Sequence, residues 1–252
     1  MGGMITLENI HKAYNKNSAN EVNALKGVSL NIGKGEYVVI VGSNGSGKTT
    51  LLNIIAGAEM SSEGRVRFNN EDVTGLPDYR RSRWVARVFQ NPLIGTAAEL
   101  SILDNFRLAA IRTGSKNLTI GVNATFKKQV RDRIATLNMG LENKVEQEMG
   151  TLSGGQRQAL TLLMSVMDRT EILLLDEPTA ALDPRSAATV LQLANDLIQT
   201  YKLTAILVTH SLKDAHQHGN RLIQMYEGRV LRDLKEEEKG KIKREELFRW
   251  FE

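Results

Sequence analysis

The chain has 252 residues, 41% hydrophobic and 25% charged, with a net charge of +4, an ordinary globular composition with room for one large core and an inserted subdomain. The absence of cysteine excludes disulfides, cysteine-based zinc sites and thiol catalysis. No apolar run approaches a membrane span, so a membrane role must be peripheral, and no dense Lys/Arg block with interleaved aromatics argues for nucleic acid.

The alternation of Ile5, Leu7 and Ile10 with polar residues predicts a half-exposed strand over residues 5–10, and residues 15–23 read as a polar loop. Residues 28–32 alternate again and end in a glycine turn. The apolar, β-branched residues 37–41 read as a buried strand. Residues 50–56, closed by Gly57, read as a short helix with a glycine C-cap. Strands are expected at 65–68 and near 83–90. From about residue 93 to 168 helical spacing takes over, at 102–110, at 126–137 and in a long apolar helix from Ser153; residues 113–123 are a polar break. Residues 172–176 form a continuous apolar run, as in a strand buried on both faces. Asp183 can cap a helix that begins at Pro184 and runs to about residue 201. A buried strand at 204–209, a short helix at 212–218, a hairpin at 221–231 and a charged tail with Leu247, Phe248 and Phe251 as packing residues complete the chain.

Three stretches carry chemistry. Gly42-Ser43-Asn44-Gly45-Ser46-Gly47-Lys48-Thr49 fits G-x-x-x-x-G-K-[ST], set between a strand and a helix as a phosphate-binding loop must be. Backbone N–H groups at the helix start face phosphates, the helix dipole favours their charge, Lys48 reaches the β- and γ-phosphates, and the Thr49 hydroxyl ligates Mg²⁺. Asp176 ends an apolar strand, where an acid can hold the metal of a bound nucleotide, and Glu177 on the same rim can polarise a water. Leu152-Ser153-Gly154-Gly155-Gln156 is a second phosphate-facing helix start: Ser153 can cap it, and the glycines let backbone approach an anion. One ATP needs only one phosphate loop.

These parts, with His210 at the end of a later strand, resemble in this order the nucleotide-binding subunits of ABC transporters over nearly the whole chain. The resemblance implies an α/β fold: a P-loop NTPase (RecA-like) core with an N-terminal antiparallel β subdomain and an inserted α-helical subdomain. The ATPase domain would cover 4–232, its core being 4–92 and 169–232 and its helical subdomain about 93–168, followed by a charged tail at 233–252. The cofactors implied are ATP and Mg²⁺. Tyr14 would stack on adenine; Gly42, Ser43, Asn44, Gly45, Ser46, Gly47, Lys48, Thr49 and Thr50 would bind the phosphates. Gln90 resembles the glutamine that senses Mg²⁺, so Thr49, Gln90 and Asp176 form the metal set. Glu177 resembles the general base, with Lys48 and His210, the switch histidine, completing the catalytic group. Ser153, Gly154, Gly155 and Gln156 would contact ATP held by the opposite subunit, and Ala181, Leu182 and Asp183 resemble the loop crossing that interface.

The same resemblance implies a head-to-tail dimer, most simply a homodimer, at the cytoplasmic face of the cell membrane. It would work with separate permease subunits and an extracytoplasmic substrate-binding protein. Residues 87–97, 152–163 and 179–184 resemble a bacterial importer group with a branched-chain-amino-acid-type permease and a substrate-binding lipoprotein, some of whose binding proteins are linked to aromatic amino acids. Two other readings stay open: an export or lipoprotein-release ATPase, and a soluble ABC ATPase serving cofactor assembly.

Overall fold

The computed structural model describes residues 3–112, 121–248 and 250. Its elements fall into two compact units. The first takes in the chain up to Arg81, the short stretch Leu174–Glu177, and the chain from Lys202 onward; the second comprises Ser82–Leu173 and Pro178–Tyr201.

In chain order the first unit opens with β1 (Ile5–Tyr14), β2 (Val22–Ile32), β3 (Tyr37–Val41), α1 (Lys48–Ala56), β4 (Glu63–Phe68), β5 (Glu71–Asp72) and α2 (Asp78–Arg81). The second unit carries β6 (Val85–Val88), α3 (Ile102–Ala110), α4 (Ala124–Ala135), a 3-10 turn (Met149–Thr151) and α5 (Gly154–Ser165). β7 (Ile172–Asp176) begins in the second unit and ends in the first, and α6 (Pro184–Tyr201) belongs to the second. The first unit closes with β8 (Thr204–Val208), α7 (Leu212–Gln217), β9 (Arg221–Tyr226), β10 (Arg229–Leu234), α8 (Glu236–Lys239) and α9 (Arg244–Phe248).

Two sheets organise the first unit. β2, β1, β4 and β5 form an antiparallel sheet in that order, with Ile5 opposite both Ile32 and Phe68. Its apolar alternates, Ile5, Leu7, Ile10, Val28, Leu30 and Ile32, are buried, which fixes register because a one-residue slip would turn them all to solvent. The second sheet runs β10-β9-β3-β8-β7, with β3 parallel to both β8 and β9 and β10 antiparallel to β9. Every residue of β3, β7 and β8 is buried, as their unbroken apolar runs require. This parallel core beside an antiparallel sheet is the α/β fold anticipated from the sequence.

In the second unit β6 lies beside the start of β7, the Trp84 carbonyl accepting from the N–H groups of Glu171 and Ile172 at 2.9 Å each. α5 is packed all round: every residue from Gly155 to Ser165 except Gln156 is buried. Ser101, Asn123 and Ser153 each cap a helix by accepting a backbone N–H with their side chain.

Several boundaries differ from expectation. β1 extends to Tyr14 and β2 starts at Val22, inside the stretch read as a loop; bulges in their pairing let the ladder continue where alternation fails. The strand expected near 83–90 is only Val85–Val88, and β10 continues to Leu234. In the tail Leu247 is buried, but Phe248 is 51% exposed because it lies on the outer face of α9; Phe251 and residues 113–120 of the expected polar break lie outside the described residues.

Candidate nucleotide site

The site of the first unit lies at the carboxyl ends of β3, β7 and β8, where parallel sheets place ligands. The phosphate loop leaves β3 and enters α1 through Gly47, whose φ of 97° is a left-handed conformation natural to glycine. A Cβ there would also lie 2.6 Å from the Ala24 carbonyl oxygen. Unlike α3, α4, α5 and α7, α1 has no side-chain cap at its N-terminus, so its first N–H groups are left to an external acceptor. Its other end is satisfied: buried Arg81 donates from Nη1 to the carbonyls of Ile54 and Ile55 at 2.6 and 3.1 Å, a cation at the negative end of the helix dipole. Burial pushes the Arg81 guanidinium down to about 10.

Lys48 is buried at the first position of α1 and donates from Nζ to the carbonyls of Gly42 and Ser43 at 2.8 and 3.0 Å. Desolvation lowers its pKa, against the raising influence of Glu177 and Asp176. The buried Ser46 hydroxyl, at the centre of the loop, has no hydrogen-bond partner. An orphaned donor, an uncapped helix start and a buried ammonium around one cradle fit a polyphosphate.

Thr49 Oγ1 lies 3.5 Å from Asp176 Oδ1, so a hydroxyl and a buried carboxylate converge at the same helix start. These are hard oxygen donors suited to Mg²⁺, which takes few protein ligands and fills the rest of its shell with phosphate and water.

Glu177 adopts a φ of 47°, costing a non-glycine residue about 1–2 kcal/mol. Its N–H is fixed on the Val208 carbonyl at 3.0 Å. That turn aims the carboxylate at His210, where Oε1 meets Nε2 at 2.5 Å. Both line a cavity of about 590 Å³ with the phosphate loop and Tyr14. A carboxylate held by an imidazole beside a phosphate cradle can accept a proton from water while the imidazole faces the phosphate end.

A family profile described as ABC transporter matches residues 25–180. The chain is 37% identical to the Tyrosine transport ATP-binding protein of Clostridioides difficile, over 99% of both chains. The chain belongs to the ABC transporter ATP-binding family. It is also 34% identical to the Phosphonates import ATP-binding protein PhnC of Halobacterium salinarum, covering 91% of this chain and 78% of that one. Against a Macrolide export ATP-binding/permease protein MacB of Campylobacter jejuni it is 37% identical over 93% of its length but spans only 34% of that protein. Among solved structures, a dimeric post-hydrolysis ATP-binding cassette bound to ADP and Pi superposes with a TM-score of 0.80 at 31% identity, covering 92% of this chain and 99% of that one.

This ABC cassette is therefore the ATP-hydrolysing subunit of a transporter. Among its described residues no helix is long and apolar enough to cross a membrane. Within the first unit the fold brings together Tyr14, the phosphate loop, Asp176, Glu177 and His210. Gln90 and the Ser153-Gly154-Gly155-Gln156 stretch belong to the second unit. Ser153 Oγ accepts from the Gln156 N–H at 3.3 Å while Gln156 Oε1 accepts from the Ser153 N–H at 3.2 Å, a reciprocal capping box. Gly155 is packed so closely on α6 that a Cβ would lie 2.7 Å from the Ser186 side chain. Gln90 is exposed after β6, and its neighbour Phe89 is tied by its carbonyl to buried Gln158 Nε2 at 2.9 Å. The same amide nitrogen donates to the Pro178 carbonyl at 2.9 Å, a link for which the sequence carries no motif.

Proposed function

We propose that this cassette energises the import of a small solute, such as an amino acid, as one of two copies bound head to tail around two ATP. The end-to-end likeness to a tyrosine transport ATP-binding protein carries this reading, since both chains match over 99% of their lengths. The partners would be a branched-chain-amino-acid-type permease and an extracytoplasmic binding protein. The cassette would sit peripherally at the cytoplasmic face of the membrane. Its ATPase domain would span 4–232, with the helical subdomain at about 93–168 and the charged tail at 233–252.

In this reading Gly42 to Thr50 and Tyr14 hold the nucleotide, and Lys48 turns from the carbonyls of Gly42 and Ser43 to the β- and γ-phosphates. Thr49 and Asp176, with Gln90 as the sensing glutamine, hold Mg²⁺, which when bound neutralises phosphate oxygens. Glu177 takes the proton of the attacking water, and His210 orients the carboxylate and meets the γ-phosphate. Ser153, Gly154, Gly155 and Gln156 close over ATP held by the other copy, adding a second helix N-terminus to the phosphates. Hydrolysis weakens that clamp and the dimer opens. A groove of about 400 Å³ in the second unit, edged by exposed Ile94 and Leu108, would offer the permease an apolar seat.

Purification of the native complex from membranes tests the assignment. Recovery with a permease and a binding protein that takes up labelled amino acid supports it. Recovery with an export permease, or with soluble scaffold proteins alone, overturns it.

A further inference from the structure

The cavity beside the phosphate loop has an aromatic wall, Tyr14, and that wall is braced from behind. The Tyr14 hydroxyl donates to Glu59 Oε2 and lies 3.4 Å from Thr50 Oγ1 in the first turn of α1. Glu59 is itself fixed: its Oε1 accepts from Asn53 Nδ2 at 2.7 Å, and its N–H donates to the Asn53 carbonyl at 3.2 Å. Lys12 Nζ lies 3.4 Å from Glu59 Oε2, donates to the Met60 carbonyl at 2.9 Å, and sits 5.0 Å from the centroid of the Tyr14 ring. Tyr14 lines the cavity; Lys12 and Glu59 do not.

We propose that Glu59 and Lys12 are positioning residues for the nucleotide base, holding the Tyr14 ring as a preformed stacking platform in register with the phosphate loop. This rests on the reading of Tyr14 as the base-facing residue. Three physical elements support it. A tyrosine has two side-chain torsions, and a charge-assisted hydrogen bond at its far end removes the freedom that stacking would otherwise have to freeze. The Lys12 ammonium, 5.0 Å from the ring centroid, adds a cation–π contact to the Tyr14 ring without itself lining the cavity. Asn53 and Thr50, on α1 itself, tie the platform to the helix whose N-terminus holds the phosphates, so base and phosphate subsites move as one body. Ionisation in the cluster is consistent: burial, then the hydrogen bond to Glu59, raises the Tyr14 phenol; burial acts to raise Glu59, but hydrogen bonds from Tyr14, Asn53 and Lys12 outweigh it and hold the carboxyl below its usual range.

The ligand class is a nucleoside triphosphate recognised at both ends, so the test compares ATP with inorganic tripolyphosphate, which has the phosphates and no base. Affinities of the full chain for both are measured by calorimetry for the wild type and for Glu59→Ala, Lys12→Met, Tyr14→Phe and Tyr14→Ala. Tyr14→Phe keeps the ring and removes only the anchored hydroxyl, so it stands if a harsher variant fails to fold. The expected result is weaker ATP affinity in Glu59→Ala, Tyr14→Phe and Lys12→Met, about fivefold or more in the first two, with tripolyphosphate affinity unchanged; wild-type ATP affinity in Lys12→Met would remove Lys12 from the positioning role. Equal weakening of both ligands would mean a merely structural network and would overturn the proposal. If Tyr14→Ala selectively weakens ATP while Glu59→Ala and Tyr14→Phe do not, stacking stands and the anchoring role is refuted. If Tyr14→Ala leaves the ratio of the two affinities unchanged, the stacking reading fails first and takes the platform with it.

Discussion

Glu177 Oε1 and His210 Nε2 meet at 2.5 Å across the ends of β7 and β8, and the contact exists because Glu177 turns into a left-handed conformation at φ 47°. The pair is uneven: the Glu177 side chain is 12% exposed and that of His210 44%, so the carboxylate is sheltered while the imidazole stays open to a ligand. Replacing Glu177 with Gln keeps the shape and removes the base. Hydrolysis should fall by about 100-fold or more, while ATP still binds and a stable ATP-dependent dimer accumulates on size exclusion. His210→Ala should lose turnover similarly through misplacement of Glu177. Phosphate release at the wild-type rate in Glu177→Gln would remove Glu177 from the base role.

Lys48→Ala should abolish ATP binding or turnover, measured by nucleotide fluorescence and phosphate release. Its effect on the ligand-free fold should be small, because removing a buried ammonium relieves desolvation as it frees the carbonyls of Gly42 and Ser43. A variant with wild-type hydrolysis would refute the role of the loop.

Ser153→Ala breaks the capping box at the start of α5 and should cost about 1 kcal/mol of stability. If this helix start also meets ATP on the other copy, the loss in ATP-driven dimerisation, followed by light scattering, should exceed what the shift in thermal midpoint accounts for. Equal losses would confine Ser153 to capping.

Lys239 gives a pH signature. Its buried ammonium donates to the carbonyls of His218 and Gly219, and burial pushes its pKa from 10.5 down to about 8. Below about 8 both folded and unfolded chains are protonated, and the folded chain bears the full cost of the buried charge. Between about 8 and 10.5 the unfolded chain holds the proton that the folded chain has released, so stability rises with pH through that window. Thermal midpoints of the wild type should therefore climb relative to Lys239→Met from pH 7.5 to 10. Parallel curves would show that Lys239 titrates normally.

Much of the candidate site is legible in the sequence because its chemistry is written in contiguous backbone. A phosphate loop needs glycines, a lysine and a helix start within eight positions; Gly42 to Thr49 supply them, and β3 and α1 fall on either side. Asp176 and Glu177 announced themselves by ending an apolar strand, and Ser153 by standing as a cap before a helix; the reciprocal bond of Gln156 did not. Strand ends were less legible: bulges between β1 and β2 carry the ladder into residues whose composition reads as loop.

What the sequence determined alone was thus the nucleotide chemistry and the α/β class, since both depend on local order and burial periodicity. The tertiary structure alone decided which distant side chains meet. It turned Glu177 onto His210, 33 positions away, placed Arg81 on the carbonyls that end α1, and drew Glu59 to Tyr14 across 45 positions. Such contacts leave no motif, because an acid, an arginine or a lysine on a surface loop looks the same in sequence whether solvated or clamped. The contact of Tyr14 with the first turn of α1, and the pairing of β7 beside β8, bring those partners within reach of each other.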